Sequence, residues 1–365
     1  MTECSTAQTG KCGKSEAAQR VARGSFKKAI PEDIRLQLSG LQQKDNWRNI
    51  LYLGGDWLVI AAAIASAMLT ELNPVVYVVA VVVIGSRQRA VMNLVHQASH
   101  KKLFASRRAN EIIGKLFAAF PILTSLSAYT CAHCRHHGFL WDQNKDPDAA
   151  RYDELGLISP PSSKGKFGFL HLVRPVLLFH AVHNVVSALS WEGEPRSETL
   201  GRAAFWAVVL TVVVALGWTV PFLLFWVVPF LTTFQIFRYW AEMAEHSGLK
   251  SDDPWMATRN WTGTLIEREL LGPHTDHYHL THHLFPLIPH YRIAEAHRLL
   301  MKVPEYANAH QCDGFFVPRR PEATSVLHDV RRPQDIGGVC AAGSFASATR
   351  GCAGEDSAAA CQSGR

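Results

Sequence analysis

The stretch LYLGGDWLVIAAAIASAMLT at residues 51–70, followed by the turn ELN and by VVYVVAVVVIG at 75–85, decides the fold of this chain. Each apolar block approaches the ~20 residues that an α-helix needs to cross about 30 Å of hydrocarbon. A second pair of blocks follows later, with AAFWAVVLTVVVALGWT at 203–219 and PFLLFWVVPFLTTFQIF at 221–237. The pattern predicts an all-α membrane protein with four transmembrane helices in two hairpins, over residues 51–70, 75–95, 202–219 and 221–240.

The distribution of lysine and arginine predicts the orientation of these helices. The connections at 71–74 and 218–221 carry neither residue, whereas the N-terminal head, the segment 85–200 and the chain after Phe237 contain both. Because segments rich in lysine and arginine stay on the cytosolic side, we expect an integral, multi-pass membrane protein with both termini in the cytosol. The basic residues that give the formal net charge of +6 are explained as markers of the cytosolic segments. We therefore expect no nucleic acid partner.

The rest of the chain divides into flexible ends and a membrane domain. We expect the polar residues 1–45 to form a flexible N-terminal segment. Residues 46–320 are expected to form the membrane domain, and residues 321–365 a disordered tail. Two interrupted apolar segments, 111–129 and 167–190, are predicted to be helices that lie in the membrane interface. An arrangement with six spans is the alternative.

Histidine is unusually frequent, with 18 in the chain. Three tight groups hold eight of them: HQASH at 96–100, HCRHH at 133–137 and HLTHH at 279–283. Side chains at positions i, i+3 and i+4 share one face of a helix. Each group therefore directs two or three imidazoles the same way, as metal ligation from a rigid helix requires.

Helix lengths predict the depth of these groups in the membrane. From Pro74 to His96 a helix rises roughly 33 Å, and from Pro221 to Glu242 it rises roughly 32 Å. Both distances match a span, so His96 and the EMAEH stretch that ends at His246 emerge at the same, cytosolic level. The second and third groups lie in cytosolic segments, which predicts one helical cap in which all the groups meet.

The number of imidazoles bears on the metal. The three groups together with His246 supply nine, whereas a zinc ion takes about four ligands. Nine suit two ions with four or five ligands each. Imidazole binds iron, zinc, copper and nickel, but zinc has no redox chemistry.

Some neighbouring residues have more ordinary explanations. His277, just before the third group, is a candidate to support a ligand. Cys131 and Cys134 bracket His133, but no second CxxC completes a zinc site, so we expect reduced thiols.

Asp142, Asp146 and Asp148 follow the second group and are expected in a solvated loop, with support of a ligand imidazole as the alternative. The pair His180 and His183 is expected to be structural.

The histidine groups resemble those of the integral-membrane fatty acid desaturase and hydroxylase superfamily. HQASH, HCRHH and YHLTHHLFPLIPHYRI at 278–293 carry the resemblance, in the family's order and with hairpins between them, over roughly residues 50–300. AEHSG at 244–248 resembles the segment that supplies a further ligand. The third group also resembles a bacterial subgroup of secondary metabolism that includes the rhizobitoxine desaturase.

The resemblance implies a centre of two iron ions that uses O2 as co-substrate. By carry-over Glu242 contacts a metal through water. Gln97 departs from the acidic residue that many family members have. We expect no fused cytochrome domain, so the resemblance implies a separate electron donor: a ferredoxin, a flavoprotein reductase or a b-type cytochrome. The implied metal ligands are His96, His100, His133, His136, His137, His246, His279, His282 and His283.

The expected function is therefore that of an oxidoreductase which introduces a double bond into a fatty acyl chain, in lipid or thioester form. The alternatives with the same centre are hydroxylation, or desaturation of an amino-acid-derived small molecule. A metal transporter needs a site near the bilayer midplane, and a b-type heme protein needs facing histidines within spans. The predicted depth argues against both.

Overall fold

The computed structural model describes residues 26–189 and 194–331, and within these ranges the chain is mostly helical. Residues 1–25 and 332–365, to which much of the predicted flexible head and tail belongs, lie outside the described part. The helices are α1 (Glu32–Gly40), α2 (Arg48–Leu69), α3 (Pro74–Ser99), α4 (Arg107–Ile113), α5 (Leu126–Phe139), α6 (Pro147–Glu154), α7 (Lys164–Gly168), α8 (Arg174–Val176), α9 (Ala181–Leu189), α10 (Arg196–Ala215), α11 (Thr219–Phe222), α12 (Val228–Leu231), α13 (Thr233–His246), α14 (Leu265–Leu271), α15 (His279–Leu284), α16 (His290–Leu300), α17 (Pro304–Ala307) and α18 (Val326–Val330).

Irregular helical turns extend several of these helices. The π-helical segments are Gly114–Ala119, Phe169–Val173 and Leu223–Val227, and the 3-10 turns are Phe26–Ala29 and Phe120–Ile122. The segment Leu223–Val227 joins α11 to α12, so that one helical run extends from Thr219 to His246.

Four helices of the described chain are long and apolar enough to cross a membrane, in agreement with the sequence prediction. They are α2, α3, α10 and the run Thr219–His246. Asn73 starts α3 by accepting hydrogen bonds from the main-chain N–H groups of Val75 and Val76, with Pro74 at the first helical position. The helix continues to Ser99 and therefore includes His96.

The expected interface helix at 111–129 is instead two helices that meet at a sharp bend. The run Arg107–Ile122 and helix α5 enclose an angle of 91°, and together they are apolar enough for a fifth span. Leu123 adopts a left-handed conformation at the bend, with φ of 60°. Ser125 then caps α5 by accepting a hydrogen bond from the N–H of Ala128. The bend matters because α5 carries the second histidine group.

Helices α3 and α13 approach closely at Gly85. A Cβ atom placed on Gly85 would lie 2.0 Å from Oγ1 of Thr233, far inside van der Waals contact. That hydroxyl donates a hydrogen bond to the carbonyl of Val81 at 2.8 Å. The contact therefore requires glycine, and it sets the two helices that carry His96 and His246 side by side.

Arg259 fixes the C-terminal end of α13 to the segments that follow it in the chain. Its fully buried guanidinium donates to the carbonyls of Met243, Ala244 and Ser247 and pairs with Asp329 at 3.0 Å. The adjacent strand β1 (Asn260–Thr262) pairs in parallel with β2 (Gln311–Asp313). These contacts hold the chain that leads from α13 towards the third histidine group.

Buried helical residues also lie outside the range 46–320 that is expected for the membrane domain. Ile34 and Leu38 of α1 are buried in a cluster with residues of α15 and α16. Val326 and Val330 of α18 are buried in a second cluster. Residues within 26–45 and 321–331 therefore contribute to the packed part of the described chain.

Candidate metal centre

Four helix ends bring the predicted histidines together. His96 lies in the last turn of α3 and His100 caps that helix, while His246 is the last residue of α13. The second group lies on α5 and the third on α15. All nine residues predicted as ligands therefore converge at one end of the long helices.

Five imidazoles form a first set. One ring nitrogen from each of His96, His100, His133, His137 and His282 lies within 4.8 Å of the others. The Nε2 atoms are 2.7 Å apart in His96 and His282, 2.9 Å in His100 and His133, and 3.0 Å in His137 and His282. The members come from α3, α5 and α15, so three separate parts of the chain build this set.

The remaining four predicted histidines form a second set. The Nε2 of His246 lies 3.2 Å from that of His136 and 3.0 Å from that of His279. The Nε2 of His283 is 3.1 Å from that of His279. Glu245 joins His246 and His279 in a group of potential ligand atoms within 4.8 Å. This set therefore offers a carboxylate as well as imidazoles.

The two sets are in direct contact. The rings of His137, from the first set, and His283, from the second, stack with centroids 4.2 Å apart. The rings of His136 and His137, neighbours in sequence but members of different sets, are 5.9 Å apart. Two ions held by these sets would therefore be close neighbours.

The geometry fits metal ligation. Two nitrogens that bind one ion at about 2.1 Å lie about 3 Å apart when their bonds meet at a right angle. The Nε2 separations of 2.7 to 3.2 Å in both sets match that distance. Five nitrogens in the first set exceed the four ligands of a structural zinc site, whereas imidazole ligation suits iron.

Burial keeps the imidazoles of the third histidine group neutral, which is the form that binds a metal. Burial lowers the pKa of His279 to about 3. Burial and the neighbouring imidazoles also hold the pKa of His282 and of His283 well below its usual range. Since a ligand must be deprotonated before it binds, these side chains need lose no proton at neutral pH.

Asp146 orients the imidazole of His136. This contact agrees with the alternative given for the aspartates after the second histidine group, that one of them supports a ligand imidazole. Oδ1 of Asp146 lies 3.0 Å from Nδ1 of His136, and its carboxylate also accepts the N–H groups of Trp141 and Asp148. The expectation of a solvated loop is wrong for Asp146, because its side chain is buried. A carboxylate behind a ligating imidazole fixes the ring orientation and its tautomer.

The sequence analysis did not identify Arg89. This arginine connects two carboxylates, one beside each histidine set. Its guanidinium pairs with Asp276 and, at 3.3 Å, with Glu245. Asp276 lies 3.7 Å from Nδ1 of His96, and Glu245 lies 3.8 Å from Nε2 of His279. Although burial raises the pKa of Asp276, the Arg89 charge and the neighbouring His96 hold it well below its usual range.

Some signals of this network are present in the sequence. Arg89 is a charged residue within a predicted span, and such residues usually have a function. Asp276 precedes His279 by three positions, so it lies beside the third histidine group. Neither signal identifies the partner, because Arg89 and Asp276 are 187 positions apart.

The two residues expected to support the ligands have other contacts. The carboxylate of Glu242 pairs with Arg151 and with Arg238, and among the described residues it joins none of the candidate metal groups. Nδ1 of His277 lies 3.1 Å from the carbonyl oxygen of Gly272. Their expected roles at the metal stay predictions.

The remaining residues considered in the sequence analysis are two cysteines and a pair of histidines. In the described chain Cys131 and Cys134, half-buried and exposed respectively, belong to no candidate metal group. Nε2 of His180 lies 3.1 Å from the main-chain carbonyl oxygen of Gln235, which supports a structural role. The side chain of His183 lies outside the described part.

A cavity of ≈ 380 Å³ opens onto both sets. Its lining includes His96 and His133 of the first set and His136, His246 and His279 of the second. A molecule in this cavity would contact both candidate ion positions at once.

Comparison with known proteins identifies the family. The fatty acid desaturase model matches residues 72–314, a range that includes every histidine of both sets. The chain belongs to the fatty acid desaturase family. It is therefore a desaturase-family oxidoreductase, and the family implies iron-dependent oxygen chemistry and association with membranes.

Individual relatives span bacteria and plants. Dihydrorhizobitoxine desaturase of Bradyrhizobium elkanii is 33% identical over 324 residues, which cover 82% of this chain and 88% of the relative. The probable fatty acid desaturase DES1 of Sorghum bicolor is 24% identical over 300 residues, 75% of this chain and 74% of the relative. The chloroplastic omega-3 fatty acid desaturase of Glycine max is 24% identical over 275 residues, 69% of this chain and 60% of the relative.

Proposed function

We propose that this chain is an O2-dependent desaturase that uses two iron ions to introduce a carbon–carbon double bond. The reaction converts –CH2–CH2– to –CH=CH–, and the two hydrogens removed from the substrate, with two further protons, two electrons from the donor and O2, form two molecules of water. The iron ions supply the O2 chemistry and the removal of hydrogen from an unactivated carbon.

One observation carries the proposal: nine histidines from distant segments form two touching sets with metal-like spacing. The first set offers five imidazole nitrogens, and the second offers four together with Glu245. Iron bound by imidazole suits redox chemistry, whereas zinc has none.

The protein's own groups hold and orient this centre. The carboxylate of Asp146 fixes His136, and Arg89 keeps Asp276 charged beside His96. The surrounding side chains leave the cavity of ≈ 380 Å³ next to both sets, which positions a substrate carbon near the ions. Electrons come from a separate donor protein, such as a ferredoxin, a flavoprotein reductase or a b-type cytochrome.

We further propose a multi-pass arrangement in the membrane, with a desaturase domain over residues 46–320. Helices α2 and α3 form one hairpin, and α10 with the run Thr219–His246 forms the other. The lysine and arginine distribution supports cytosolic termini and a cytosolic position of the centre.

Two substrate classes are consistent with the comparisons. The plant relatives are named fatty acid desaturases, which supports a fatty acyl chain in lipid or thioester form. The bacterial relative is named for dihydrorhizobitoxine, which supports an amino-acid-derived small molecule. Hydroxylation by the same centre is distinguished from desaturation by the mass of the product.

The decisive experiment combines metal analysis with product analysis. Purified protein should contain about two iron ions per chain, and cells that express it should form an O2-dependent product lighter by two hydrogens. A single zinc ion and no iron would refute the proposal. A product heavier by one oxygen would identify a hydroxylase.

A further inference from the structure

Charged side chains form part of the lining of the cavity beside the two histidine sets, together with apolar side chains such as Met92 and Ala132. The charged lining residues are Arg89, Asp148, Arg238, Glu242, Glu245 and Asp276. A hydrocarbon chain among them would remove charged groups from water and offer no hydrogen bonds in return, which is costly. The volume of ≈ 380 Å³ lies near the lower end of the range for small-molecule pockets. The lining and the size both favour a small polar molecule.

The apolar space of the protein lies elsewhere. A groove of ≈ 1090 Å³ runs between the long helices and is lined by residues such as Trp57, Phe117, Phe205 and Trp226. Within the described chain, none of the nine candidate ligands contributes to this lining. A lipid tail in the groove would therefore not contact the histidines.

Arg238 is the charged group best placed to select a ligand. It lies within the apolar run Thr219–His246, where an arginine is energetically expensive and marks a functional site. It precedes His246 by eight positions, or roughly 12 Å along the helix. Its side chain is 25% exposed and lines the cavity.

The contacts of Arg238 leave its outer edge available. Its Nε donates to Oε1 of Glu242 at 3.0 Å, and Glu242 also accepts from Nη1 of Arg151 at 3.1 Å. In the described part of the chain, the hydrogen bonds of Arg238 engage Nε alone. A guanidinium fixed through Nε presents its two terminal amino groups, the geometry that binds a carboxylate with two parallel hydrogen bonds.

We infer that the cavity binds a small polar substrate through its carboxylate, which pairs with the terminal amino groups of Arg238. Glu242 positions this arginine, and Arg151 balances the charge of Glu242. The inference rests on the proposed function and names its substrate class: a small carboxylate rather than a long acyl chain. The alternative is that the Arg151–Glu242–Arg238 cluster only fastens α6 to α13.

Binding to the iron-loaded protein distinguishes these roles. The probes are norleucine, norleucinamide, which lacks the carboxylate, and stearoyl coenzyme A. Isothermal titration should show norleucine binding at least about tenfold more tightly than the amide. Arg238→Gln should remove that difference, because it weakens the binding of norleucine and leaves the binding of the amide unchanged. Arg238→Lys should restore part of the difference in affinity.

The controls separate the inference from folding and from the proposed function. Arg298→Gln changes an exposed arginine away from the cavity and should preserve the acid-to-amide ratio. Iron content of each variant reports on folding. The inference is overturned if norleucine does not bind, or if Arg238→Gln affects acid and amide equally. The proposed function fails separately, when wild-type protein lacks iron or removes two hydrogens from no substrate, including stearoyl coenzyme A.

Discussion

Nδ1 of His136 lies 3.0 Å from Oδ1 of Asp146, while Nε2 of the same ring faces the second histidine set. The carboxylate lies on one side of the imidazole and the candidate ion position on the other. Loss of such a supporting carboxylate typically weakens metal affinity by about 10- to 100-fold. Asp146→Leu should therefore lower the iron content of purified protein, measured by mass spectrometry of the metal. Asp142→Asn, in the same loop, should keep wild-type iron, and equal iron in both variants would contradict the assignment.

Single histidine substitutions test the two sets independently. His282→Ala removes a member of the first set and His136→Ala a member of the second, and each should abolish O2-dependent turnover. The reason is that, in the proposed function, every member contributes a ligand to one of two cooperating iron ions. Expression and membrane insertion, measured by fractionation, should be unchanged. The exposed His328 provides a matched control, and turnover retained by His282→Ala would remove that residue from the ligand set.

Buried imidazoles make the metal-depleted protein sensitive to acid. The folded pKa of His279 is about 3, below the ordinary value of about 6.5, so the unfolded state binds the proton more readily. Stability is therefore retained above about pH 6.5 and falls as the pH drops towards 3, by up to ~1.4 kcal/mol per pH unit for this residue.

Thermal unfolding of chelator-treated protein in detergent measures this slope. His279→Gln should make the dependence on pH shallower than in the wild type. Identical slopes in the two proteins would show that His279 does not contribute.

Because α3 and α13 approach closely at Gly85, we expect one added methyl group at this position to lower the stability of the protein. Gly85→Ala places Cβ against Thr233, and overpacking of this kind costs typically ~1–3 kcal/mol. The variant should unfold at a lower temperature and bind less iron, because these helices carry His96 and His246. Gly55→Ala, which meets no atom within 4 Å, is the control. An unchanged melting temperature for Gly85→Ala would mean that the helices are not in contact there.

The features of this protein that the sequence predicts are those that depend on residues close together in the chain. The four apolar blocks exceed the length of ordinary helices, and the i, i+3 and i+4 spacing of each histidine group fixes a shared face. His246 was found because helix rise is constant and its depth follows from Pro221. These properties depend on residues close together in the chain.

What the sequence did not reveal depends on partners far apart in the chain. The contacts of Arg89 with Glu245 and Asp276 join positions separated by 156 and 187 residues. The bend at Leu123 was also missed, since no glycine occupies that left-handed position. The prediction of a solvated Asp146 was wrong because a charged residue in a loop is usually exposed. The sequence pattern does not show that its partner is the buried imidazole of His136.

The first histidine set joins His96 to His282 across 186 positions, which has a consequence for biogenesis. A ribosome must synthesise most of the chain before the ring of His282 exists. Cofactor loading therefore comes after translation of the third group, and prematurely terminated or incorrectly threaded copies lack a complete cage. If the proposed iron ions are bound there, their incorporation would report that the three histidine groups and His246 have been brought together.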